Sequence, residues 1–429
     1  MFRCRAVNLL SLLAGLTKRD PHATIAIDAD PGHPVHVSRS ELWRRTLQLR
    51  ADLATAGVGR GDAVAVWLPN WSEVLDWHIA TASLGAHTVG LGLDADTDEV
   101  ARVVRAARPR VVALAHGAGE RDLTATLREA LARAEVIAPP AVAVVAGPHG
   151  TPPLDPALHD VGGGAWLPSA STAGMPMPVT SGDEPAVAFG PRLAAHRESA
   201  VVRHALAVAR AIGIRDDDAV LCVHPLTGAF GCALALAALA GGATCVLEPV
   251  TDAGLLLADM ERFDVTQLAV TDEVALRLAG AWQRRPRELR SWRWLGVAEA
   301  VGSVQESATW AEKEFGVVST GLYGSPELFG LTALWPPGSP APHRWWPGGH
   351  PVSPELEVRV ADPLTGRPVP AEEQGELQFR GYAVADAHLG DDPAERPLTE
   401  DGWFRTGERG SLVGDGGFRY LGAIPVSSL

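Results

Sequence analysis

The chain has 429 residues, enough for two or three packed lobes at roughly 150 residues each. A formal charge of −14, with 46% hydrophobic and 21% charged residues, is ordinary for a globular protein and argues against a nucleic-acid groove or a polybasic membrane surface. The basic residues are nearly all arginine, the lysines being Lys18 and Lys313 alone. At the start, an apolar run from Ala6 to Leu16 is followed by Lys18-Arg19-Asp20 without a small-residue cleavage site, so it reads as an amphipathic first helix, not a signal peptide. Residues 63–68 form a buried strand, Ser72 caps a helix to Leu84, and Thr88 to Leu91 form a second strand. Thr97 caps a helix whose Val100, Val103 and Val104 share a face, and Arg110 to Leu114 make a third strand. Such alternation predicts a parallel, helix-covered sheet.

Residues 147–185, rich in Gly, Pro and Ser, read as a linker or surface loop. A second alternating block follows, with helices near 198–212, 229–240 and 253–262 and strands near 219–223 and 243–247. Residues 352–381 alternate apolar and polar, as antiparallel strands do. The expected division is a first α/β lobe with linker at 1–180, a second α/β lobe at 181–335 and a β-rich lobe at 336–429. The cysteines Cys4, Cys222, Cys232 and Cys245 form no CxxC pair and read as free thiols, which fits a reduced, cytoplasmic compartment. No apolar run is long enough to span a bilayer, and no metal-ligand pattern, Gly-x-Ser-x-Gly elbow or dinucleotide fingerprint occurs.

Five strings, in order, carry a family resemblance. They are Val66-Trp67-Leu68-Pro69-Asn70; His224-Pro225-Leu226 with Phe230-Gly231; Tyr323-Gly324-Ser325-Pro326-Glu327; Gly375-Glu376-Leu377; and Asp401-Gly402-Trp403-Phe404-Arg405-Thr406-Gly407-Glu408. Together they resemble the adenylate-forming superfamily of acyl-CoA synthetases, luciferases and nonribosomal-peptide adenylation domains, from about residue 7 to residue 422. The resemblance implies an α/β fold of two helix-covered, mostly parallel sheets plus a smaller β-rich lobe. It also implies chemistry in which a carboxylate and ATP give an acyl-adenylate before acyl transfer. That chemistry needs cations and backbone amides around the phosphates.

Against the family pattern, the Ser/Thr/Gly-rich phosphate loop is missing. The strand 185–189 runs straight into Gly190-Pro191-Arg192-Leu193-Ala194-Ala195-His196-Arg197. Arg192, His196 and Arg197 could bind an anion, though Arg192 and Arg197 also read as a solvated helix start. Pro326 replaces a phosphate-holding Thr, Glu408 stands for the ribose-binding Asp, and Ala423 for an Arg. The chain stops at Leu429, so the resemblance implies that the C-terminal lid domain and its lysine are absent. The nucleotide remnant is then Arg192, Tyr323, Glu327 and Glu408, and the expected cofactor is none, with ATP and magnesium as the alternative.

By position in the family, the acyl pocket would be lined by His224, Thr227, Gly228, Phe230, Ala298, Glu299, Tyr323, Gly324, Ser325 and Phe329, with a small Gly228 widening its entrance. His224 reads either as a hydrogen-bonded core histidine or as a general base, with Glu299 and Glu327 as further acid–base candidates. Trp345 and Trp346 either cover the pocket or simply pack. Three functions follow: an enzyme that has lost adenylation and uses the acyl pocket for transfer, condensation or cyclisation in a biosynthetic pathway; a divergent but active AMP-forming ligase; or a non-catalytic scaffold subunit. The expected partners are a small carboxylate or acyl substrate, a carrier protein or a coenzyme A thioester, with no nucleic acid and no membrane.

Overall fold

The computed structural model describes residues 8–118, 121–150, 181–390, 397–414 and 416–425. Cys4, residues 151–180 of the expected linker and the terminal residues up to Leu429 lie outside them. The strands of the first half are β1 (Thr24–Asp28), β2 (Val35–Ser38), β3 (Ala63–Trp67), β4 (His87–Gly90), β5 (Val111–Ala115), β6 (Ala141–Val145), β7 (Pro185–Phe189), β8 (Ala194–Arg197), β9 (Ala219–Cys222) and β10 (Thr244–Leu247). Those of the second are β11 (Gln267–Thr271), β12 (Trp294–Ala298), β13 (Val318–Tyr323), β14 (Ala333–Leu334), β15 (Gly348–Pro351), β16 (Leu356–Ala361), β17 (Gln374–Gly381), β18 (Ala387–His388), β19 (Phe404–Leu412) and β20 (Phe418–Ala423).

They form two sheets. The seven-stranded sheet runs β18-β8-β7-β4-β3-β5-β6, parallel from β7 to β6. The thirteen-stranded sheet runs β16-β17-β19-β20-β15-β14-β13-β12-β11-β9-β10-β1-β2, with β13 to β1 mutually parallel and the strands from β14 to β16 antiparallel. The α/β class is therefore as expected, but the lobe boundaries are not. β1 pairs with β10 and β2 with β1, so residues 24–38 belong to the second sheet, while residues 185–197 complete the first. The β-rich lobe is no separate sheet, because β14 and β15 join it edge-on to β13.

Strand periodicity explains the layering. In β9, Val220 and Cys222 face the core that both sheets share, while Leu221 and Val223 face the outer helices Ala253–Arg262, Asp272–Arg284 and Val304–Phe315. The helix Ala229–Gly241 is apolar all round, and its residues 231–239 are buried in the shared core. A third cluster, with Leu356, Val360, Leu377, Phe379, Phe404 and Phe418, holds the antiparallel strands and takes in Tyr323.

Two caps differ from expectation. The helix Ser72–Ala82 has Trp71 as its N-cap, and the Ser72 hydroxyl donates to Asp28 at 2.7 Å. Asp28, from β1, also accepts the Ser72 amide at 2.6 Å, so the helix is capped from another strand. The helix Thr97–Ala107 is capped by Asp96, which accepts the Glu99 amide at 2.8 Å.

Candidate active site at the carboxyl ends of the second sheet

Parallel strands end on a common edge, where α/β folds bind ligands. In register, Thr271, Ala298 and Leu322 form one row across β11, β12 and β13. His224 joins the row from beyond β9, where the Thr271 amide donates to its Nε2 at 3.1 Å. The Phe230 ring meets the imidazole edge-on at 4.8 Å. Gly228 is the N-cap of the helix carrying Phe230, Thr227 is buried and Ala298 half-buried.

Glu299 is exposed as a whole, yet partial desolvation of its carboxyl, with nearby Asp272, raises its pKa, opposed by Arg419. Asp272, fully buried, shapes the loop that carries Glu299. Its carboxylate accepts the amides of Ala300 at 2.8 Å and Ser303 at 2.6 Å.

The His224 turn is clamped from the opposite sheet. Asn70, at the end of β3, donates through Nδ2 to the carbonyls of Cys222 (3.1 Å), Val223 (3.3 Å) and His224 (3.0 Å), and its Oδ1 accepts the Leu226 amide at 2.9 Å. His78 adds a bond from Nε2 to the Leu226 carbonyl at 3.1 Å. Asn70 was legible as part of a motif but carried no expected role, because its partners lie more than 150 residues away.

The second group surrounds an open cavity of about 790 Å³, lined among others by Arg192, Ser325, Glu327, Glu376, Arg405 and Glu408. Three of the four nucleotide-remnant residues, Arg192, Glu327 and Glu408, thus share one space with Ser325. His224, Thr227, Gly228, Phe230, Ala298 and Glu299 do not line it. Glu376 is neutralised where it stands, accepting from Arg405 Nε at 2.8 Å, Gln378 at 2.9 Å and the Gly407 amide at 3.1 Å. The Ser325 hydroxyl is buried without a partner among the described residues. Gly324 permits the turn before it, since a Cβ there would sit 1.3 Å from the Gly330 carbonyl oxygen.

Several expected roles change. Tyr323 is 5% exposed, its ring stacked on Phe379 at 5.5 Å and 10° and met edge-on by Phe418 at 5.2 Å. Its hydroxyl donates to Glu408 at 2.5 Å. Burial raises the Glu408 carboxyl, the Tyr323 hydroxyl pulls it down, and Glu327 pushes it up again. Phe329 is 1% exposed in a cluster with Phe189, His196 and His204, so it is core and is absent from the lining of this cavity.

His224 has its Nε2 lone pair engaged by an amide and, chiefly through burial, a pKa lowered to about 4, so it is no general base. His196 is fully buried and donates from Nε2 to the Pro326 carbonyl at 2.7 Å, so it is closed to anions. Arg197 belongs to β8 and pairs with Asp386 at 2.9 Å. Arg192 lies in the β7–β8 hairpin, not at a helix start. Trp345 donates to Glu312 at 2.8 Å and Trp346 packs under Arg419 at 4.6 Å, so both are tied into the scaffold.

An α/β body with a polar cavity beside the carboxyl ends of its parallel strands is a ligand-binding type of architecture. The chain belongs to the AMP-binding enzyme family, whose profile matches residues 16–181 and 191–388. It is 28% identical to the 2-hydroxy-7-methoxy-5-methyl-1-naphthoate–CoA ligase of Streptomyces carzinostaticus, covering 96% of this chain and 74% of that protein. It is 25% identical to 4-coumarate–CoA ligase 3 of Oryza sativa subsp. japonica, covering 88% and 67%. Its fold matches the luciferase-like enzyme of the nonluminescent mealworm Zophobas morio with a TM-score of 0.82 at 18% identity, over 99% and 98% of the two chains. Among the described residues no helix is long and apolar enough to cross a membrane, and no group of three or more His, Cys, Asp or Glu is placed to hold a metal ion.

Proposed function

We propose that this chain handles an acyl group, as a carboxylate, an acyl-thioester or a carrier-bound acyl, without forming an acyl-adenylate. The observation that carries the reading is the turn between β7 and β8. It closes over Gly190-Pro191-Arg192-Leu193, where Pro191 has no amide hydrogen and the Leu193 amide is spent on the Gly190 carbonyl at 3.1 Å. Pro326 also packs on Gly190, at 2.9 Å from where a Cβ would stand. That leaves no run of donors for a polyphosphate, and the adjoining cavity offers three carboxylates against two guanidiniums. Tyr323 is buried with one ring face stacked on Phe379 and Phe418 meeting the ring edge-on, so it offers little surface to a flat base. These residues do not fit ATP with its magnesium ion.

In acyl transfer from a thioester, the carbon–sulfur bond breaks, a bond to the acceptor's nitrogen or oxygen forms, and the acceptor's proton ends on the thiol. Glu327 in the cavity and Glu299 on the strand edge are the carboxylates available to take that proton first. A second reading, a divergent AMP-forming ligase, is favoured by the meeting of Arg192, Glu327 and Glu408 at one cavity and by relatives that are named CoA ligases. Pyrophosphate release separates the two. Pure protein given ATP, magnesium and 4-coumarate should form none, while 4-coumaroyl-N-acetylcysteamine should raise the melting temperature when ATP does not. Carboxylate-dependent pyrophosphate formation that is lost in Glu327→Ala would overturn the first reading in favour of the second.

A further inference from the structure

We propose that His224 serves the acyl site as a fixed, neutral hydrogen-bond donor, presenting Nδ1–H to an oxygen of the bound acyl group, and that Asn70 is the positioning residue that holds it there. The inference rests on the acyl-site reading above. An amide N–H can only donate, so the Thr271 amide at 3.1 Å requires a lone pair on Nε2. A neutral imidazole has one N–H, which must then sit on Nδ1. Nδ1 has no partner among the described residues.

The other imidazoles of the shared core, His78, His196 and His204, are at most 1% exposed, whereas His224 keeps part of its surface open. Ala298, the register partner of Thr271 one strand further along the row, has no polar side chain. Thr271 is also the N-cap of helix Asp272–Arg284, and that helix contributes Arg277, whose charge disfavours a second proton on the ring. The donor is thereby kept in one tautomer and one protonation state.

Orientation comes from the other sheet. The four Asn70 bonds and the His78 bond fix the backbone from Cys222 to Leu226, and the Phe230 edge fixes the ring. A donor held in place before binding costs little to use, so it selects ligands with an oxygen acceptor, either a thioester carbonyl or a carboxylate.

Two measurements test this on the full chain. Long-range ¹H–¹⁵N spectra should show His224 as the Nδ1–H tautomer, unchanged from pH 8 down to pH 5, and Asn70→Ala should move it toward mixed tautomers. An Nε2–H tautomer in the wild type would overturn the proposal. Binding is then read with 4-coumarate and 4-coumaroyl-N-acetylcysteamine as separate probes, which tells a carboxylate from a carbonyl acceptor. His224→Phe keeps a ring but no donor and should weaken the preferred probe about tenfold. His224→Asn keeps an N–H near the Nδ1 position and should stay within about threefold of wild type. Undiminished binding by His224→Phe sinks the donor role alone. No binding of either probe to the wild type, with the tautomer as described, sinks the acyl-site reading as well.

Discussion

Tyr323 and Asn70 show how single side chains divide the molecule's tasks. The Tyr323 hydroxyl donates a short hydrogen bond to Glu408, in a region where burial already raises the carboxyl. Tyr323→Phe should therefore lift the Glu408 pKa further in a ¹³C titration and cost about 1–2 kcal/mol in urea unfolding. Asn70 saturates four backbone groups from inside the core, at 5% exposure. Asn70→Ala removes all four bonds, leaving the Cys222 carbonyl its bond from the Glu248 amide, and should cost about 3 kcal/mol, with the same unfolding assay as the check. Both residues stand in strings visible in the sequence. Their partners were not visible, since a hydrogen bond across 85 or more than 150 positions leaves no local pattern.

Among the elements, the wholly buried helix Ala229–Gly241 and the β7–β8 hairpin matter most. The helix sits so close to the His224 turn that a Cβ on Gly231 would lie 2.3 Å from the Pro225 carbonyl oxygen and 2.4 Å from that of His224. Gly231→Ala should displace the turn, cost about 1–3 kcal/mol and release the Thr271–His224 bond, seen as loss of the single imidazole tautomer. The apolar run of this helix was legible, because a segment apolar on every side has to be buried. The hairpin was legible only as a missing loop. Its strand β8 looked like a helix start because four residues are too few to show a period, and pairing with β7 and β18 decided the matter.

Across the whole molecule, buried ionisable groups set the response to pH. Burial lowers His78, His87, His196 and His224 to about 4 and His204 to about 3. These folded-state values lie below the unfolded one, so the stability they confer is present above about pH 6.5 and is lost as pH falls through 4. Burial raises Asp28 to about 6, Asp76 to about 7 and Glu248 to about 8. Those values lie above the unfolded ones, so their contribution is full below about pH 4 and is lost as pH rises through 6 to 8. The five histidines outweigh the three acids on the acid side. Melting temperature should rise from pH 4.5 to about 6.5 and then level off or fall slightly toward pH 8. Segments 1–180 and 181–429 also lend strands to each other's sheets, β1 and β2 to the second and β7 and β8 to the first. Separate fragments 1–180 and 181–429 should therefore fail to fold, with far-ultraviolet circular dichroism and limited proteolysis as the readout, and should recover structure only when mixed.

The sequence alone determined the family and the α/β class, because periodic burial and short glycine-rich strings are local properties that survive without their surroundings. It also located the departures at Gly190-Pro191, Pro326 and Glu408. The tertiary structure decided what the surviving residues do. Tyr323 and Phe329 became core, His224 was tied to the Thr271 amide, and Arg192, Glu327 and Glu408 were brought to one cavity, while the three expected lobes became two interleaved sheets. Each of those outcomes depends on which strands pair and which buried polar groups find partners, and both are settled by contacts between distant parts of the chain.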